Sequence, residues 1–385
     1  MPVEIDSAEA VPCTVMEVGM KHDLGMLARR FRLRGDFVAA EPYGSGHIND
    51  TYAVTCDQAG STVRYIFQRI NNVVFANPSA LMENVIRTTA HIRGKLEAQH
   101  TDVITRRVLS LISTANGNGY YHRDEDGSYW RVYMFVEGAR TYDIIENDTQ
   151  AYEAAKAFGR FQQQLADLPP PRLHETVPDF HDTRKRFDAM VAAIDADVCG
   201  RARSVRKEIA FVLEREPLVD VLLDQHARGE LPERIIHNDT KINNVLIDDA
   251  SSEGVCVIDL DTVMPGLALY DFGDMIRSGT NTAAEDETDL SRVTVNRDTY
   301  AALARGYLET AGEFLIPREK ELMVFSGKLI TLETGIRFLT DYLAGDVYFK
   351  VNRDGHNLDR SRTQFKLVAA MEEQEADLTR MVASL

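Results

Sequence analysis

The chain has few cysteines, and their positions do not form a disulfide framework. Only four occur in 385 residues, and no two of them make a CxxC pair. Cys256 lies inside an apolar run that predicts a buried strand, and Cys13, Cys56 and Cys199 are scattered along the chain. This usage is typical of free thiols in a reducing compartment.

Long hydrophobic runs and an excess of positive charge are missing as well. No apolar stretch reaches the roughly 20 residues of a membrane span. The first residues, which include Glu4, Asp6 and Glu9, lack the basic start and apolar centre of a signal peptide. With 43 basic and 60 acidic residues the net charge is −17, which argues against nucleic acid or an anionic membrane as a partner. We expect a cytoplasmic protein, and nothing in the sequence indicates an oligomeric state.

Internal repeats and low-complexity tracts are absent, so the chain is of ordinary globular type with 44% hydrophobic and 27% charged residues. Strand patterns dominate the first part, interrupted by one helix that begins at Asn77-Pro78, and helical periodicity dominates from about residue 147. We predict an α+β fold of two lobes: a β-rich N-lobe with one main helix at 36–137 and an α-rich C-lobe at 138–385, after an N-terminal extension and short helix at 1–35. The predicted strands are 37–42, 48–55, 63–70, 103–113 and 129–136, and the clearest helical runs are 23–33, 202–222 and 322–343.

The most informative stretch runs from His237 to Asn244, with the sequence HNDTKINN between two strand-like flanks. Phosphoryl transfer depends on positioned charge, and a kinase catalytic loop supplies an Asp as base with a magnesium-binding Asn five residues later. Asp239 and Asn244 have this spacing. A second metal ligand is expected where a buried strand ends, and the run 255–258 ends in Asp259. A hydrated turn is the alternative, but the strand-like flanks disfavour it.

Two neighbouring residues are predicted to brace this loop. His237 is expected to form structural hydrogen bonds without contacting substrate. Asp271, in the string YDFGD, looks like the metal-binding Asp of a protein-kinase DFG motif, but it follows Asp259 by about a dozen residues. We therefore interpret Asp271 as a support for the catalytic loop, and Asp259 as the metal ligand.

The N-lobe should hold a nucleotide in a cleft between the lobes, as in the protein kinase-like fold. No GxxxxGK[ST] phosphate loop is present, so the turn with Gly44 and Gly46 is the candidate phosphate cover, although two glycines more often mark a plain hairpin. The third strand has no Lys, and Arg69 is our candidate phosphate cation because alternation allows only Gln68 or Arg69 to face inward. The remaining nucleotide candidates are the hinge residues Met134, Phe135 and Val136, the last two through their backbone.

Candidate acceptor-binding residues come from both ends of the chain. His47 and Asn49 would face the cleft from the hairpin tip. On the helix predicted at 322–343, Glu333, Arg337 and Asp341 are spaced four apart, which predicts an Arg held between two carboxylates. Tyr348 follows the predicted helix end at Gly345. Charged groups beside an aromatic ring suit a polyol, and Glu333, Arg337 and Tyr348 complete our candidate sugar site, although such charge ladders are usually solvated surface pairs.

These motifs together resemble the aminoglycoside phosphotransferase (choline kinase-like) superfamily. Five further segments look like N-acetylhexosamine 1-kinases within it: 41–49, 68–69, 130–133, 335–339 and 345–349. The resemblance implies ATP- and Mg²⁺-dependent phosphorylation of the anomeric hydroxyl of N-acetylglucosamine or N-acetylgalactosamine. It also implies that Asp239 is the base, that Asn244 and Asp259 hold magnesium, and that His47, Asp239, Arg337 and Tyr348 contact the sugar.

Two alternatives remain open. One is another small-molecule kinase of the superfamily, acting on an aminoglycoside, choline, homoserine or a hexose. Cationic acceptors would want a strongly acidic pocket, whereas Arg337 beside Tyr348 favours a neutral polyol. The other is a catalytically silent nucleotide-binding regulator, which the presence of all three catalytic residues disfavours.

Overall fold

The structure, a computed structural model, describes residues 22–44, 46 and 48–385. Its N-terminal part is a five-stranded antiparallel sheet in the order β1-β2-β3-β5-β4. The strands and helices of this part are α1 (Leu24–Ala28), β1 (Asp36–Pro42), β2 (Asp50–Gln58), β3 (Ser61–Ile70), α2 (Pro78–Ala98), α3 (Ile104–Arg107), β4 (Tyr121–Arg123) and β5 (Tyr129–Met134).

The remainder of the chain is mostly helical, with two small antiparallel sheets, β6-β8-β9 and β10-β7. Its elements are β6 (Ala139–Arg140), α4 (Asp148–Leu165), α5 (Thr183–Ala196), α6 (Arg206–Leu213), α7 (Val221–Ala227), β7 (Arg234–Ile236), β8 (Val245–Asp248), β9 (Gly254–Val257), β10 (Met264–Gly266), α8 (Ala268–Gly279), α9 (Arg297–Ala311), α10 (Pro317–Glu321), α11 (Met323–Ala344) and α12 (His356–Ala383). The predicted α+β fold with a β-rich and an α-rich lobe is confirmed.

Local sequence explains where the main elements begin. The predicted start of α2 is confirmed: Asn77 caps the helix by accepting from the N–H of Ala80 at 3.1 Å, and Pro78 occupies the first helical position. The long helix α11 also forms as predicted and ends at Gly345, whose φ of +101° is the left-handed conformation that favours glycine.

The predicted strand at 103–113 is wrong in its first half. Residues Ile104–Arg107 form the short helix α3, and hydrogen bonds to β5 begin at Ser110, whose carbonyl accepts from the N–H of Met134 at 2.9 Å. Strand-favouring residues are overridden here because Arg106 and Arg107 pair with Asp248 and Glu253 of the C-lobe. The helical run at 202–222 is also broken, since Pro217 lies between α6 and α7.

The two faces of the N-lobe sheet have different neighbours. Tyr65 and Phe67 of β3 pack on the outer face with α1, in a cluster that also contains Trp130 and Val132 of β5. Ile70 and Tyr133 belong to the large core that continues through α2 into the C-lobe. Cys56, Cys199 and Cys256 are free thiols, as predicted. Within the described residues, no helix is both long and apolar enough to cross a bilayer.

Candidate active site

The segment between β7 and β8 is held by the carboxylate of Asp271, which belongs to α8. Asp271 accepts hydrogen bonds from the backbone N–H groups of His237 at 2.8 Å and Asn238 at 2.7 Å. Its own carbonyl accepts from the hydroxyl of Thr240 at 2.6 Å. Burial raises the pKa of Asp271, and these donors act in the opposite direction. Asp271 therefore supports this segment, as the sequence predicted.

His237 is fully buried and links the same segment to the strand that precedes Asp259. Its Nε2 lies 2.8 Å from the carbonyl of Ile258, and its Nδ1 accepts from the N–H of Asp239 at 3.3 Å. The imidazole edge packs against the rings of Phe158 and Phe161. With these partners the ring proton lies on Nε2. They agree with the prediction that His237 forms structural hydrogen bonds.

Asp239, which follows His237 and Asn238 in this segment, lies beside Asn244 and Lys241. The Asn244 side chain donates to the carbonyl of Asp239 at 2.8 Å and to its carboxylate at 2.9 Å. Lys241 places its ammonium 3.1 Å from the other carboxylate oxygen, and attraction to Asp239 raises the pKa of this lysine. We did not single out Lys241 from the sequence. Its position two residues after the candidate base was the available signal.

Asp259 follows β9 in a left-handed backbone conformation with φ of +56°. Burial, followed by repulsion from Asp261 and Asp239, raises the pKa of its carboxyl to about 6. Asn244 and Asp259 line one cavity, so the two predicted metal ligands are brought together. A carboxylate and an amide oxygen suit Mg²⁺, which takes few protein ligands and completes its shell with water and phosphate oxygens. A cation there would offset the repulsion at Asp259.

The same cavity, of about 160 Å³, also receives most of the predicted nucleotide residues. Its walls include Gly44, Gly46, Met134, Phe135 and Val136. One hinge donor is already engaged within the protein. The N–H of Phe135 donates to the carbonyl of Arg64 at 3.1 Å, so only the carbonyl of Phe135 and the backbone of Val136 are left for adenine, and their contact with it stays a prediction.

The prediction that Arg69 faces the phosphates is wrong. Alternation along β3 puts Gln68 toward the cavity and Arg69 on the outer face, where its guanidinium donates to Asp50 at 2.7 Å. His47, a predicted substrate residue, lies outside the described residues.

Behind the cavity lies a buried ion pair that we did not predict. Arg131 of β5 is fully buried and pairs with Asp261, which is 2% exposed. Gln68 accepts from the Arg131 guanidinium at 2.9 and 3.1 Å. Asn49 donates to Asp261 at 2.7 Å and accepts from the N–H of Asn71 at 3.0 Å. Asn49 therefore positions Asp261, and its contact with substrate stays a prediction. The available signal was an Arg inside a strand otherwise predicted to be apolar.

On α11, Arg337 was predicted to lie between the carboxylates of Glu333 and Asp341, and this pairing is wrong. Glu333 is completely buried and binds His181 at 2.8 Å and the hydroxyl of Thr183 at 2.6 Å, so it cannot contact a sugar directly. Asp341 is buried as well. Its carboxylate accepts from three consecutive N–H groups, those of residues 347, 348 and 349, at 2.8 to 2.9 Å. Both carboxylates point into the protein, where Glu333 binds two side chains and Asp341 binds the backbone that follows α11.

Arg337 is left between aromatic rings. Its guanidinium lies 5.5 Å from the ring centroid of Phe180 and 5.6 Å from that of Phe349. In the described part of the chain no carboxylate is within ion-pair distance of Arg337. Tyr348, 67% exposed, packs edge-on against Phe349. Arg337 and Tyr348 thus share one aromatic wall.

A second and larger cavity, of about 660 Å³, opens beside the segment that follows β7. Residues 240–243 form one wall, and the opposite walls come from α8 and from the loop that follows it. Its charged lining is mixed: Lys241, Arg277 and Arg292 face Asp143, Glu285 and Glu287.

Comparisons with known proteins identify a family and several structures of similar fold. The model of a phosphotransferase enzyme family, APH, matches residues 39–318. Similar solved structures include a spectinomycin phosphotransferase in complex with ADP and spectinomycin, with a TM-score of 0.55 at 13% identity over 94% of this chain and 98% of that one.

Two further structures have the same fold. An aminoglycoside phosphotransferase from Alicyclobacillus acidocaldarius has a TM-score of 0.53 at 14% identity, over 99% of this chain and 98% of that one. A choline kinase from Cryptosporidium parvum has a TM-score of 0.50 at 16% identity, over 88% and 90%. With the matched family model covering most of its length, the chain belongs to the APH phosphotransferase enzyme family.

Proposed function

We propose that this protein is an ATP- and Mg²⁺-dependent kinase that phosphorylates the C1 hydroxyl of an N-acetylhexosamine, N-acetylglucosamine or N-acetylgalactosamine. The observation that carries the phosphoryl-transfer part is the joint placement of Asp239, Asn244 and Asp259. Asn244 contacts the Asp239 carboxylate at 2.9 Å and lines the same cavity as Asp259. Two oxygen ligands at one cavity, with a base in contact with one of them, are the parts that this reaction requires.

In the proposed reaction, Asp239 orients the acceptor hydroxyl and accepts its proton. Asn244 donates a hydrogen bond to one oxygen of the Asp239 carboxylate, and the ammonium of Lys241 lies next to the other. The two contacts together fix the orientation of the carboxylate. Bound Mg²⁺, held by Asn244 and Asp259, would neutralise charge on the transferring phosphoryl group. Lys241 supplies a positive charge next to Asp239, whereas Arg69 points away from the cavity.

The acceptor assignment is supported by the aromatic wall around Arg337. A guanidinium without a protein carboxylate retains its donors for ligand hydroxyl or carbonyl oxygens, and the rings of Phe180 and Phe349 keep it oriented. Tyr348 offers an exposed ring beside it. Asp341 fixes the backbone of this loop through its three N–H contacts. Such a wall suits a neutral polyol with an amide substituent, and it disfavours a cationic acceptor.

The direct test is a coupled ADP-release assay with purified protein, ATP and Mg²⁺. The acceptors are N-acetylglucosamine, N-acetylgalactosamine, glucose, galactose, choline and kanamycin. We expect turnover with one or both N-acetylhexosamines, and a product whose phosphate is on C1 by ³¹P and ¹H NMR. Absence of turnover with both of these sugars refutes the acceptor assignment.

A matched variant tests the base separately. Asp239→Asn keeps the shape of the side chain but removes the proton acceptor, so kcat should fall by a factor of about 10³ or more while ATP binding stays within a few-fold of wild type. Near-normal kcat in Asp239→Asn contradicts this role. ATP affinity is measured by calorimetry without acceptor, so that loss of binding and loss of chemistry are separated.

A second candidate is a kinase for a larger acceptor such as an aminoglycoside. The 660 Å³ cavity beside residues 240–243 favours it, since this volume is within the range of about 300–1,000 Å³ for drug-sized ligands. Turnover with kanamycin and none with the N-acetylhexosamines would select this alternative. In either case we expect the enzyme to act in the cytoplasm, in keeping with its free thiols.

A further inference from the structure

A buried histidine connects α11 with the catalytic loop. Neither the sequence patterns nor the family match had given this residue a role. His181, just before α5, has its Nδ1 2.8 Å from Glu333 and its Nε2 3.4 Å from the carbonyl of Asn238. Asn238 immediately precedes the proposed base, Asp239. The Phe180 ring, which contacts both His181 and Arg337, belongs to the aromatic wall of the acceptor site. His181 therefore lies between the acceptor wall and the base.

Asn238 needs this support because its backbone is left-handed, with φ of +67°. A residue other than glycine keeps such a conformation only when its surroundings impose it. Three separate groups do so here. Asp271 accepts its N–H at 2.7 Å, the carbonyl of Thr262 accepts its side-chain amide at 2.8 Å, and His181 faces its carbonyl. Of the three, only His181 reaches the peptide group that Asn238 shares with Asp239: it faces the carbonyl of this group, and His237 accepts its N–H at 3.3 Å.

The partners of His181 define the roles of its two ring nitrogens. A carbonyl oxygen can only accept, so Nε2 is the donor to Asn238. Burial raises the pKa of Glu333, but the charge and hydrogen bond of His181, the hydroxyl of Thr183 and the charge of Arg337 together lower it. Nδ1 faces this carboxylate at 2.8 Å. The other polar or charged groups around His181 and Glu333 include Thr183, Tyr270 and Asp274, together with the positive charges of Arg337 and Arg186, which act on Glu333.

We propose that His181, oriented by Glu333, is a positioning residue that fixes the peptide group between Asn238 and Asp239 and thereby aims the base at the acceptor hydroxyl. This inference depends on the proposed role of Asp239. Glu333, which is too deeply buried to contact a sugar, has a role in holding the ring of His181.

Two substitutions separate positioning from simple packing. In His181→Asn the amide nitrogen takes the place of Nδ1, so Glu333 keeps a donor while the carbonyl of Asn238 loses its donor. In His181→Gln the amide nitrogen takes the place of Nε2, so Asn238 keeps its donor while Glu333 loses its partner. The proposal predicts that kcat falls about 10-fold or more in His181→Asn and stays within about threefold of wild type in His181→Gln, with KM for ATP unchanged in both.

Thermal stability should follow the opposite order, because a buried carboxylate without its partner is the larger structural defect. His181→Gln is expected to have the lower Tm and the higher kcat. If kcat instead falls in parallel with Tm, His181 is a packing residue and the proposal is wrong. Glu333→Gln is a third variant, whose amide can donate to a neutral imidazole that retains its proton on Nε2. It should keep kcat within about threefold.

A readout without acceptor distinguishes this proposal from the proposed function. Amide hydrogen exchange of the peptide containing residues 236–242 should be faster in His181→Asn and close to wild type in His181→Gln. If wild type phosphorylates no N-acetylhexosamine, the acceptor assignment fails, but the exchange result still decides the role of His181. Equal exchange in the two variants and wild type overturns it.

Discussion

Replacing Asp259 by Asn should make the metal-free protein more stable while it abolishes turnover. The carboxyl of Asp259 is crowded by Asp261 and Asp239 and has a pKa of about 6, against an ordinary value of 3.8. A group whose pKa is raised on folding contributes its full stability below the unfolded value and loses it as pH rises through the folded value. The metal-free wild type should therefore lose stability between about pH 4 and pH 6.

The size of the effect follows from the shift. A difference of about 2 pKa units corresponds to roughly 3 kcal/mol at neutral pH, at 1.36 kcal/mol per unit. Partial exposure of the side chain reduces this, so we expect Asp259→Asn to gain about 1–3 kcal/mol in the free energy of unfolding at pH 7.5. At pH 4 the gain should vanish, since the wild-type carboxyl is then neutral as well.

Urea unfolding in EDTA at pH 4, 6 and 7.5 measures this difference. Asp248→Asn is the matched control. Its carboxylate accepts from Arg106 and Ser251, which hold the pKa of Asp248 below its ordinary value, so this substitution should lower stability and do so most at neutral pH. A gain for Asp259→Asn that is equal at all three pH values, or a loss at pH 7.5, would refute the electrostatic reasoning.

Three further predictions concern the surrounding groups. Arg131→Met leaves the buried Asp261 without its partner and should cost about 3–5 kcal/mol by urea unfolding, whereas Arg131→Met combined with Asp261→Asn should recover more than half of the loss. Asp341→Ala removes the acceptor for three N–H groups and should raise the sugar KM about 10-fold with KM for ATP unchanged in steady-state assays. Lys241→Ala should lower kcat by a factor of about 10²–10³ with unchanged ATP affinity by calorimetry, and Lys241→Arg should recover part of it; an unaltered kcat contradicts the role of this ammonium.

Elements with a strong local pattern were predictable from the sequence. The start of α2, the strand β5 and the long helix α11 follow from capping residues and periodicity, which depend on near neighbours in the chain. The spacing from Asp239 to Asn244 was readable for the same reason. Segment 103–107 was not, because the interactions that make it helical come from Asp248 and Glu253, more than a hundred residues away.

The errors in the site have a common physical origin. Arg69 and Gln68 are neighbours on one strand, and sequence alternation cannot say which of them faces the core side of the sheet. The decision is made by Arg131, which occupies the inner face of the next strand and binds Gln68. Glu333 was misread as a sugar ligand because a helix position four residues from Arg337 can be buried or exposed, and the burying partner, His181, is remote in sequence.

The ion pair between Arg131 and Asp261 has a consequence for how the enzyme opens. Arg131 belongs to the sheet of the N-lobe, and Asp261 follows Asp259 in the C-lobe, with Asn49 adding a second link across the same gap. Rotating the lobes apart would leave both charges without their partners, which costs several kcal/mol of free energy. Fully separated lobes should therefore be populated less than about one part in a hundred. Nucleotide exchange should therefore depend on small local movements at the cleft mouth, and the turnover rate should respond little to solvent viscosity.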